Sequence, residues 1–137
     1  MVGEEAALFE CDVADDNSIA QAFSEIKARY GKLDGIVHAI AYAPKAELEG
    51  EITNAIRAGF QTALDVSAYS LIAVSKVAME LALLNELASL VTLTYMGSTR
   101  AIPSYNTMGI AKAVLESSVR YLARDLGKFG IRVNAKR

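Results

Sequence analysis

The chain has 137 residues and a formal net charge of −2, with 53% hydrophobic and 22% charged residues. This is one domain's worth of protein, and its composition predicts a packed globular fold rather than disorder. The slight acidity excludes a strongly basic surface, so we expect no nucleic-acid partner. The sequence has no uninterrupted apolar run of about 18 residues, and Met1–Glu5 lacks the basic start of a signal peptide. We therefore expect a soluble, cytoplasmic protein with no membrane partner.

Short runs rich in strand-forming residues alternate with longer runs of helical spacing. The strand-like runs are Ala7–Val13, Gly35–Ile40, Leu90–Tyr95 and Gly130–Ala135. The helical runs extend from about Asn17 to Tyr30, from beyond Pro44 to about Leu84, and from about Tyr105 to Lys128. This alternation predicts an α/β fold, with a parallel sheet of about four strands and flanking helices in a single domain over residues 1–137.

The end of the second helical run is unusual. Residues Ser75–Ser89 include no glycine or proline, the usual markers between a helix and the next strand. Leucine, alanine and glutamate, which are strong helix formers, occupy this stretch instead. The sequence therefore predicts that this helix continues to about Leu87.

Tyr105 and Lys112 follow the third predicted strand. Their spacing is two helical turns, a rise of about 10.5 Å, so both side chains share one helix face. A nearby ammonium lowers the pKa of a phenol, and the pair could then transfer a proton or stabilise an oxyanion. Ligands bind beyond the carboxyl ends of parallel strands, which favours a site here. The alternative is an exposed lysine beside a half-buried tyrosine.

Other polar residues end the remaining strands. Asp12 could accept hydrogen bonds from an adenine or could simply cap the following helix. His38 is the only histidine, and without Cys, Asp or Glu at ligand spacing it predicts no metal site. We expect it to be a hydrogen-bonded histidine within a strand. Small residues near Ala43 would let a flat ligand approach the backbone, although tight packing explains them equally well.

Five tracts together are characteristic of one known family. They read CDVAD, DGIVHAIAYAP, LTYMGSTRAIPSYNTMGIAKA, LESSVRYLARDLG and GIRVNA. Over roughly Ala7–Ala135 the chain closely resembles bacterial NADH-dependent enoyl-[acyl-carrier-protein] reductase, a divergent branch of the short-chain dehydrogenase/reductase family. The Tyr-x6-Lys spacing of Tyr105 and Lys112, with Tyr95 ten residues upstream of Tyr105, distinguishes this branch from the Tyr-x3-Lys spacing of the family at large.

The resemblance implies a truncated Rossmann-like fold and an oxidoreductase of fatty acid biosynthesis. NADH would reduce a trans-2-enoyl thioester carried by acyl carrier protein. The implied catalytic residues are Tyr95, Tyr105 and Lys112, with Lys112 also holding the nicotinamide ribose. Asp12 and Val13 would flank the adenine, Ile40 would line the cofactor groove, and Ala43 would contact substrate. No metal is implied.

The chain departs from the family pattern at several points. It has no glycine-rich turn for the pyrophosphate, and Lys136-Arg137 stand where the family's substrate lid would follow. The family's strand order, 3-2-1-4-5-6-7, would leave a gap of about 14 Å between the first two strands present. Either the first strand slides across and pairs with the second, which would give a four-strand parallel sheet, or it stays unpaired, or another chain fills the gap.

Two further readings of the sequence stay open beside the enzyme. One is a non-catalytic truncated or engineered α/β scaffold. The other is an assembly module, because in the family the helices corresponding to about Asn54–Leu84 and Tyr105–Lys128 pair between subunits. The apolar faces of these helices predict a homo-oligomer, either a dimer or a tetramer.

Overall fold

The computed structural model describes residues 6–137. Met1–Glu5, which we expect to form no signal peptide, lie outside the described residues. The strands are β1 (Leu33–His38), β2 (Leu84–Leu93) and β3 (Arg132–Lys136). The α-helices are α1 (Asp16–Tyr30), α2 (Arg57–Leu64), α3 (Ser70–Glu80) and α4 (Asn106–Leu126). The three strands are parallel and lie in the order β1-β2-β3. The predicted α/β class, with a parallel sheet and flanking helices, is confirmed.

One core joins the sheet to the helices. Leu90 of β2 lies opposite Ile36 of β1 and Val133 of β3, and alternate residues of β2 point into the core. Helices α1, α3 and α4 cover them with fully buried side chains, of which the largest are Ile19, Leu71 and Leu115. Apolar burial of this kind is the main source of stability in a small domain.

The predicted first strand, Ala7–Val13, is wrong. Within the described residues the sheet has three strands, not about four, and residues 6–12 take no regular structure. Phe9 anchors the segment to the core and meets the ring of Tyr30 edge-on, with ring centroids 6.4 Å apart. Leu8 is 97% exposed. A strand is stabilised by a neighbour in register, and here the segment packs beside α1 instead of pairing with β1.

The helix that follows this segment begins as predicted. Asp15 is the N-cap residue of α1, and its carboxylate accepts a hydrogen bond from the backbone N–H of Asn17 at 2.9 Å. The segment before it is closed by Asp12, whose carboxylate accepts from the N–H of Ala14 at 2.9 Å. Asp12 therefore does not cap α1, as considered from the sequence, because Asp15 occupies that position.

The predicted continuation of the second helix to Leu87 is also wrong. Helix α3 ends at Glu80, and Ala82 takes the left-handed conformation (φ 48°) that usually falls to glycine. This reversal buries Leu83 completely and starts β2 at Leu84, which pairs with Leu33. Burial of these two leucines outweighs the helix propensity of the stretch, because propensity is worth only tenths of a kcal/mol per residue.

A π-helical turn, Asp65–Tyr69, joins α2 to α3 and makes one continuous helix of 24 residues, Arg57–Glu80. Its mean hydropathy of 1.2 and its length would be enough to cross a membrane. Half of its apolar window is buried inside the domain, as in the core helix of a soluble protein. The test therefore gives only weak evidence for a membrane span.

Candidate active site

The carboxyl ends of the three parallel strands lie together, and we call this the carboxyl end of the sheet; the opposite side is the amino end. At the carboxyl end, β2 leads into the Tyr95 turn (residues 94–98), which includes a short 3-10 helix at Met96–Ser98. Helix α4 begins nearby at Asn106, immediately after Tyr105. Ligands of open parallel sheets bind at this end. Of the three residues predicted to be catalytic, Tyr95 lies in this turn, Tyr105 is the N-cap residue of α4, and Lys112 lies on α4.

Tyr105 stands between two backbone positions of unusual conformation. Ser104 has φ 57° and Asn106 has φ 30°, values that side-chain-bearing residues seldom adopt. The side-chain amide of Asn106 donates a hydrogen bond to the carbonyl of Gly50 at 3.0 Å. Together these features hold the chain in the sharp bend that sets the direction of the Tyr105 side chain.

Two glycines allow the Tyr95 turn to approach α4. A Cβ atom on Gly97 would overlap the ring of Tyr105, and one on Gly109 would lie only 2.9 Å from the carbonyl oxygen of Gly97. Real side chains essentially never make such contacts. The position of the Tyr105 ring therefore depends on glycine at position 97.

Tyr95 and Tyr105 are in contact. Their ring centroids are 5.0 Å apart with the planes inclined at 70°, the edge-to-face geometry that aromatic rings favour. Burial raises the pKa of Tyr105, and the neighbouring Tyr95 raises it further. The sequence predicted that Lys112 would lower this pKa. That prediction is wrong, because removal of the phenol from water and the neighbouring Tyr95 determine the shift, and Lys112 is not among its causes.

Lys112 is only 6% exposed. Its ammonium donates a hydrogen bond to the carbonyl of Leu93 at 2.8 Å, at the last residue of β2. Burial lowers the pKa of this lysine. An ammonium has three donors, so after this bond two N–H groups can still serve a ligand, such as the two hydroxyls of a ribose.

Glu116, on α4, forms hydrogen bonds with both ends of the Tyr95 turn. One carboxylate oxygen, Oε1, accepts the hydroxyls of Thr94 at 2.8 Å and Ser98 at 2.7 Å. Arg137 lies 3.3 Å from the same oxygen. Partial burial alone would raise the pKa of Glu116, but the hydrogen bonds from these three residues and the charge of Arg137 lower it overall.

His38, at the end of β1, is the strand histidine that the sequence predicts. It is buried, with Nδ1 2.9 Å from the hydroxyl of Thr92 and Nε2 2.8 Å from the hydroxyl of Ser70. Burial lowers its pKa to about 4, and the charge of Lys112 acts in the same direction. The imidazole is therefore neutral at pH 7. Within residues 6–137 no group of three His, Cys, Asp or Glu residues could hold a metal ion.

The remaining predicted site residues lie around the same end of the sheet. Ile40 and Ala43 are half-buried in the loop that leaves β1, and Val13 is half-buried in the turn before α1. Ser67, in the π-helical turn, fixes the loop after β1: its hydroxyl accepts from the backbone N–H of Tyr42 at 2.9 Å and donates to the Tyr42 carbonyl at 2.8 Å.

The sequence analysis missed Ser67, Glu116 and Glu47. Glu47 is 2% exposed, and its carboxylate accepts from the N–H of Ile56 and from the hydroxyl of Thr107, both at 3.2 Å. It therefore links the 45–55 loop to the starts of α2 and α4. The charged stretch around Glu47 resembles a solvated loop. The only sequence feature connected with Glu47 is the glycine at position 59, because a Cβ atom there would overlap the Glu47 side chain.

A cleft of about 460 Å³ lies beside Tyr105. The Tyr95 turn and residues 99–102 form one wall, and Ile52 and the first two turns of α4 form the rest. Lys112 is not among the lining residues. The tyrosine thus has an open face toward this cleft, whereas the lysine faces the end of β2.

These residues fit part of a nicotinamide dinucleotide. The free donors of Lys112 match the hydroxyls of a nicotinamide ribose, and this match rests on a buried ammonium held in place by Leu93. The 137 residues include no glycine-rich turn of the Gly-x-Gly-x-x-Gly type, which holds a pyrophosphate at a helix N-terminus. The chain therefore fits the nicotinamide side of the cofactor.

Comparison with known proteins gives consistent matches. A family model described as enoyl-(acyl carrier protein) reductase matches residues 1–135. The enoyl-acyl-carrier-protein reductase (NADH) FabI of Enterococcus faecalis is 54% identical over 134 residues, which is 98% of this chain and 53% of that protein. The chain therefore spans about half the length of the curated relatives it matches.

Solved structures agree. The Bacillus cereus enoyl-acyl carrier protein reductase, in a complex with NADP+ and indole naphthyridinone, matches with a TM-score of 0.93 and 44% identity over 98% of this chain and 51% of that one. The reductase of Anaplasma phagocytophilum, in complex with NAD, gives a TM-score of 0.87 and 42% identity over 91% of this chain and 47% of that one.

The parallel sheet, the helices packed on it and the Tyr105–Lys112 pair at its carboxyl end define a Rossmann-like protein of the short-chain dehydrogenase/reductase class. Within that class the family match and the identities are specific. The chain belongs to the enoyl-(acyl carrier protein) reductase family.

Proposed function

We propose that this chain carries the catalytic half of an NADH-dependent enoyl-[acyl-carrier-protein] reductase, acting on trans-2-enoyl thioesters in fatty acid biosynthesis. The observation that supports this most directly is that the Tyr95–Tyr105 contact and the buried Lys112 both lie at the carboxyl end of a parallel sheet. NADH, when bound, supplies the hydride that reduces the double bond. The residues below bind and orient the reactants.

Tyr105 is the proposed hydrogen-bond donor to the thioester carbonyl. Its raised pKa keeps the hydroxyl protonated at neutral pH, so it can donate to an oxygen on which negative charge develops. Tyr95 packs against the Tyr105 ring and limits the directions that this hydroxyl can take. Ala43 is proposed to contact the substrate, from the loop that Ser67 fixes.

Lys112 is proposed to hold the nicotinamide ribose. Its bond to Leu93 directs the ammonium to the carboxyl end of β2, and its burial removes competing water. Ile40 would line the cofactor groove, and Asp12 and Val13 would flank the adenine. For Asp12 the N–H bonds the Ser18 hydroxyl, the carbonyl accepts from Asp15, and carboxylate oxygen Oδ1 accepts from Ala14, so Oδ2 is the atom proposed to face the adenine.

NADH binding by the purified chain tests the cofactor part of the proposal. We expect fluorescence titration to give saturable binding, and Lys112→Ala to weaken it about tenfold or more, because hydrogen bonds to a charged donor are worth about 1.5–3 kcal/mol. Lys76→Ala is the matched control, since Lys76 is an exposed lysine of α3 paired with Glu80. Equal affinities in the two variants, or no binding at millimolar NADH, would contradict the proposal.

Crotonyl-thioester-dependent oxidation of NADH tests the catalytic part. We expect Tyr105→Phe to lower kcat about 100-fold, the usual cost of losing one donor to a developing oxyanion. Tyr121→Phe provides the control, because Tyr121 is an exposed tyrosine of the same helix. A chain that binds NADH but oxidises none in the presence of the thioester would contradict this part alone and would favour a non-catalytic scaffold.

We also propose that the chain forms a single domain. We propose in addition that it is a soluble, cytoplasmic protein and that it associates into a homo-oligomer. Apolar side chains are exposed on α4 at helical spacing, namely Ile110, Val114 and Tyr121, and Ile72 is exposed on α3. A surface of this kind favours association with a second copy. Sedimentation equilibrium is expected to show a dimer or tetramer, and a monomer at high concentration would contradict it.

A further inference from the structure

Three residues on one face of α4 hold the segment that carries Tyr95. Gly109, Lys112 and Glu116 are spaced three and four residues apart, so they form one stripe along the helix. Gly109 lies against the backbone of Gly97, and Lys112 bonds the carbonyl of Leu93. Glu116 is the third attachment, and its role is assigned neither by the proposed reaction nor by the sequence motifs.

The Glu116 contacts are unusually concentrated. A single oxygen, Oε1, accepts hydroxyl hydrogen bonds from Thr94 and Ser98, at 2.8 and 2.7 Å. These two residues stand on either side of Tyr95 and Gly97, at the two ends of the Tyr95 turn. Bonds of hydroxyl donors to a carboxylate are short and strong because the acceptor is charged. One side chain thus fixes both ends of the turn to α4.

Within residues 6–137 the turn has two other polar attachments, and neither is to α4. The N–H of Thr94 donates to the carbonyl of Lys136 in β3 at 2.8 Å, and Arg137 donates to the Ser98 hydroxyl oxygen at 3.2 Å. The backbone bonds from Ser98 to the Tyr95 carbonyl and from Thr99 to the Met96 carbonyl only shape the turn. The contact between Gly97 and Gly109 limits how close the turn can come, while the Glu116 carboxylate limits how far it can move away.

We propose that Glu116 is a positioning residue, which holds the Tyr95 turn against α4 and so maintains the edge-to-face contact of Tyr95 with Tyr105. Glu116 acts through Thr94 and Ser98 and touches neither tyrosine by hydrogen bond. Its importance for catalysis rests on the proposed function, in which Tyr105 donates to the thioester. The positioning itself does not depend on that reaction.

The test measures the Tyr95–Tyr105 contact directly. NMR of the full chain with ring-labelled tyrosine reports the inter-ring nuclear Overhauser effect, and Tyr95→Phe and Tyr105→Phe assign the signals. We expect Glu116→Ala to abolish this effect in a chain that remains folded. Glu116→Gln retains an oxygen acceptor and is expected to keep a weakened effect. A folded Glu116→Ala chain with an undiminished inter-ring effect would overturn the proposal.

Two controls separate positioning from general stability. Arg137→Ala removes the ion pair of Glu116 and the bond from Arg137 to Ser98, but it leaves both hydroxyl bonds to Glu116, so the inter-ring effect is expected to persist. Ser118→Ala removes a serine of α4 whose hydroxyl bonds only its own helix, at the carbonyl of Val114. Loss of the inter-ring effect in Ser118→Ala to the same extent as in Glu116→Ala would mean that any weakening of α4 disturbs the tyrosines, and would also overturn the proposal.

A double-mutant cycle keeps the test decisive if Glu116→Ala does not fold. Glu116→Gln and Ser98→Ala, alone and combined, are expected to be coupled about fivefold in the equilibrium constant for unfolding, because they share one bond. Glu116→Gln with Ser118→Ala is expected to be additive, and additivity in both cycles would count against the inference. If the Glu116 substitutions change the inter-ring effect as expected but the chain binds no NADH, only the proposed function is contradicted.

Discussion

Both ends of the sheet hold side-chain-bearing residues at positive φ, but the two ends use these residues differently. At the carboxyl end, Ser104 and Asn106 flank Tyr105, and the Asn106 side chain is bonded to the 45–55 loop. At the amino end, Ala82 (φ 48°) turns the chain from α3 into β2, and Leu87 (φ 65°) lies within β2. Leu87 lies where β1 and β2 fall out of register and is 72% exposed.

The comparison separates backbone strain that directs a functional side chain from strain that only reverses the chain. Each unfavourable φ costs about 1–3 kcal/mol and persists only where the surroundings enforce it. At the carboxyl end the strain sets the direction of Tyr105, the proposed donor. At the amino end no predicted site residue depends on it. Relief of strain should therefore increase stability at both ends but disturb the site at only one.

Acid should affect the carboxyl end first, and this is the largest effect we expect. The folded pKa of His38 is lowered from 6.5 to about 4, so between these values the unfolded chain binds more protons. The free energy of unfolding should fall as the pH drops from about 6.5 to about 4, by up to about 3 kcal/mol, and level off below. Urea unfolding at several pH values measures it.

His38→Gln is the control for this prediction, because it should remove the pH dependence in that window whatever it costs in stability. The carboxylate of Glu116, whose pKa is lowered from 4.5, contributes only at lower pH. Amide hydrogen exchange in acid should rise at β1 and at the Tyr95 turn before it rises near Leu87. Uniform exchange along the sheet would remove the distinction between its two ends.

Gly97→Ala should be the next largest effect. Its Cβ would overlap the ring of Tyr105, and overpacking of this kind costs about 1–3 kcal/mol. We expect about 2 kcal/mol by urea unfolding, with loss of the Tyr95–Tyr105 contact. Gly127→Ala is the matched control: a Cβ there meets nothing within 4 Å, and its φ of −57° suits any residue. Equal effects of the two substitutions would contradict the packing described here.

Leu87→Gly should stabilise the protein by about 1 kcal/mol, because glycine adopts a positive φ without steric cost and the exposed leucine loses little burial. Val37→Gly is the control, since Val37 is 70% exposed in β1 and is not at a positive φ. It should destabilise by a similar amount, because glycine weakens a strand. Thermal unfolding of both variants decides, and a loss of stability in Leu87→Gly would show that this position carries no strain.

Ser104→Gly should have the smallest effect on stability, a gain of about 0.5 kcal/mol after the entropy that glycine loses on folding. Unlike Leu87→Gly, it should weaken the inter-ring contact of Tyr95 and Tyr105, because the bend before α4 becomes freer. NMR of the ring-labelled chain measures this. An unchanged contact would mean that the strain at Ser104 has no effect on the direction of the Tyr105 side chain.

The parts of the fold that follow from local patterns were predictable. Helix α1 and the long helix α4 have clear apolar periodicity and end near glycine. The tyrosines and Lys112 were predicted to lie at the carboxyl end of the sheet because a parallel strand precedes them. The structure places them there and brings the two rings into contact.

The parts that depend on distant neighbours were not predictable. The run at Ala7–Val13 has the composition of a strand, but a strand also needs a partner, and the strand order implied by the resemblance places two further strands between it and β1. The end of α3 was mispredicted because burial of Leu83 decided it. Glu47 and Glu116 were missed because their hydrogen-bond partners are far away in sequence. Glu47 accepts from Thr107, and Glu116 accepts from Thr94.

The π-helical turn at Asp65–Tyr69 has a consequence for how this family can change in length. A π turn contains one residue more than the α-helical turn it replaces, so a one-residue deletion there would leave a regular helix. Because the extra residue only widens this one turn, its removal would leave α2 and α3 in their present orientation. Ser70, which bonds His38, begins α3 and would keep its partner, whereas Ser67, which fixes the loop after β1, lies inside the turn and would be displaced from Tyr42. The helix tolerates such a deletion, whereas the loop beside the site does not.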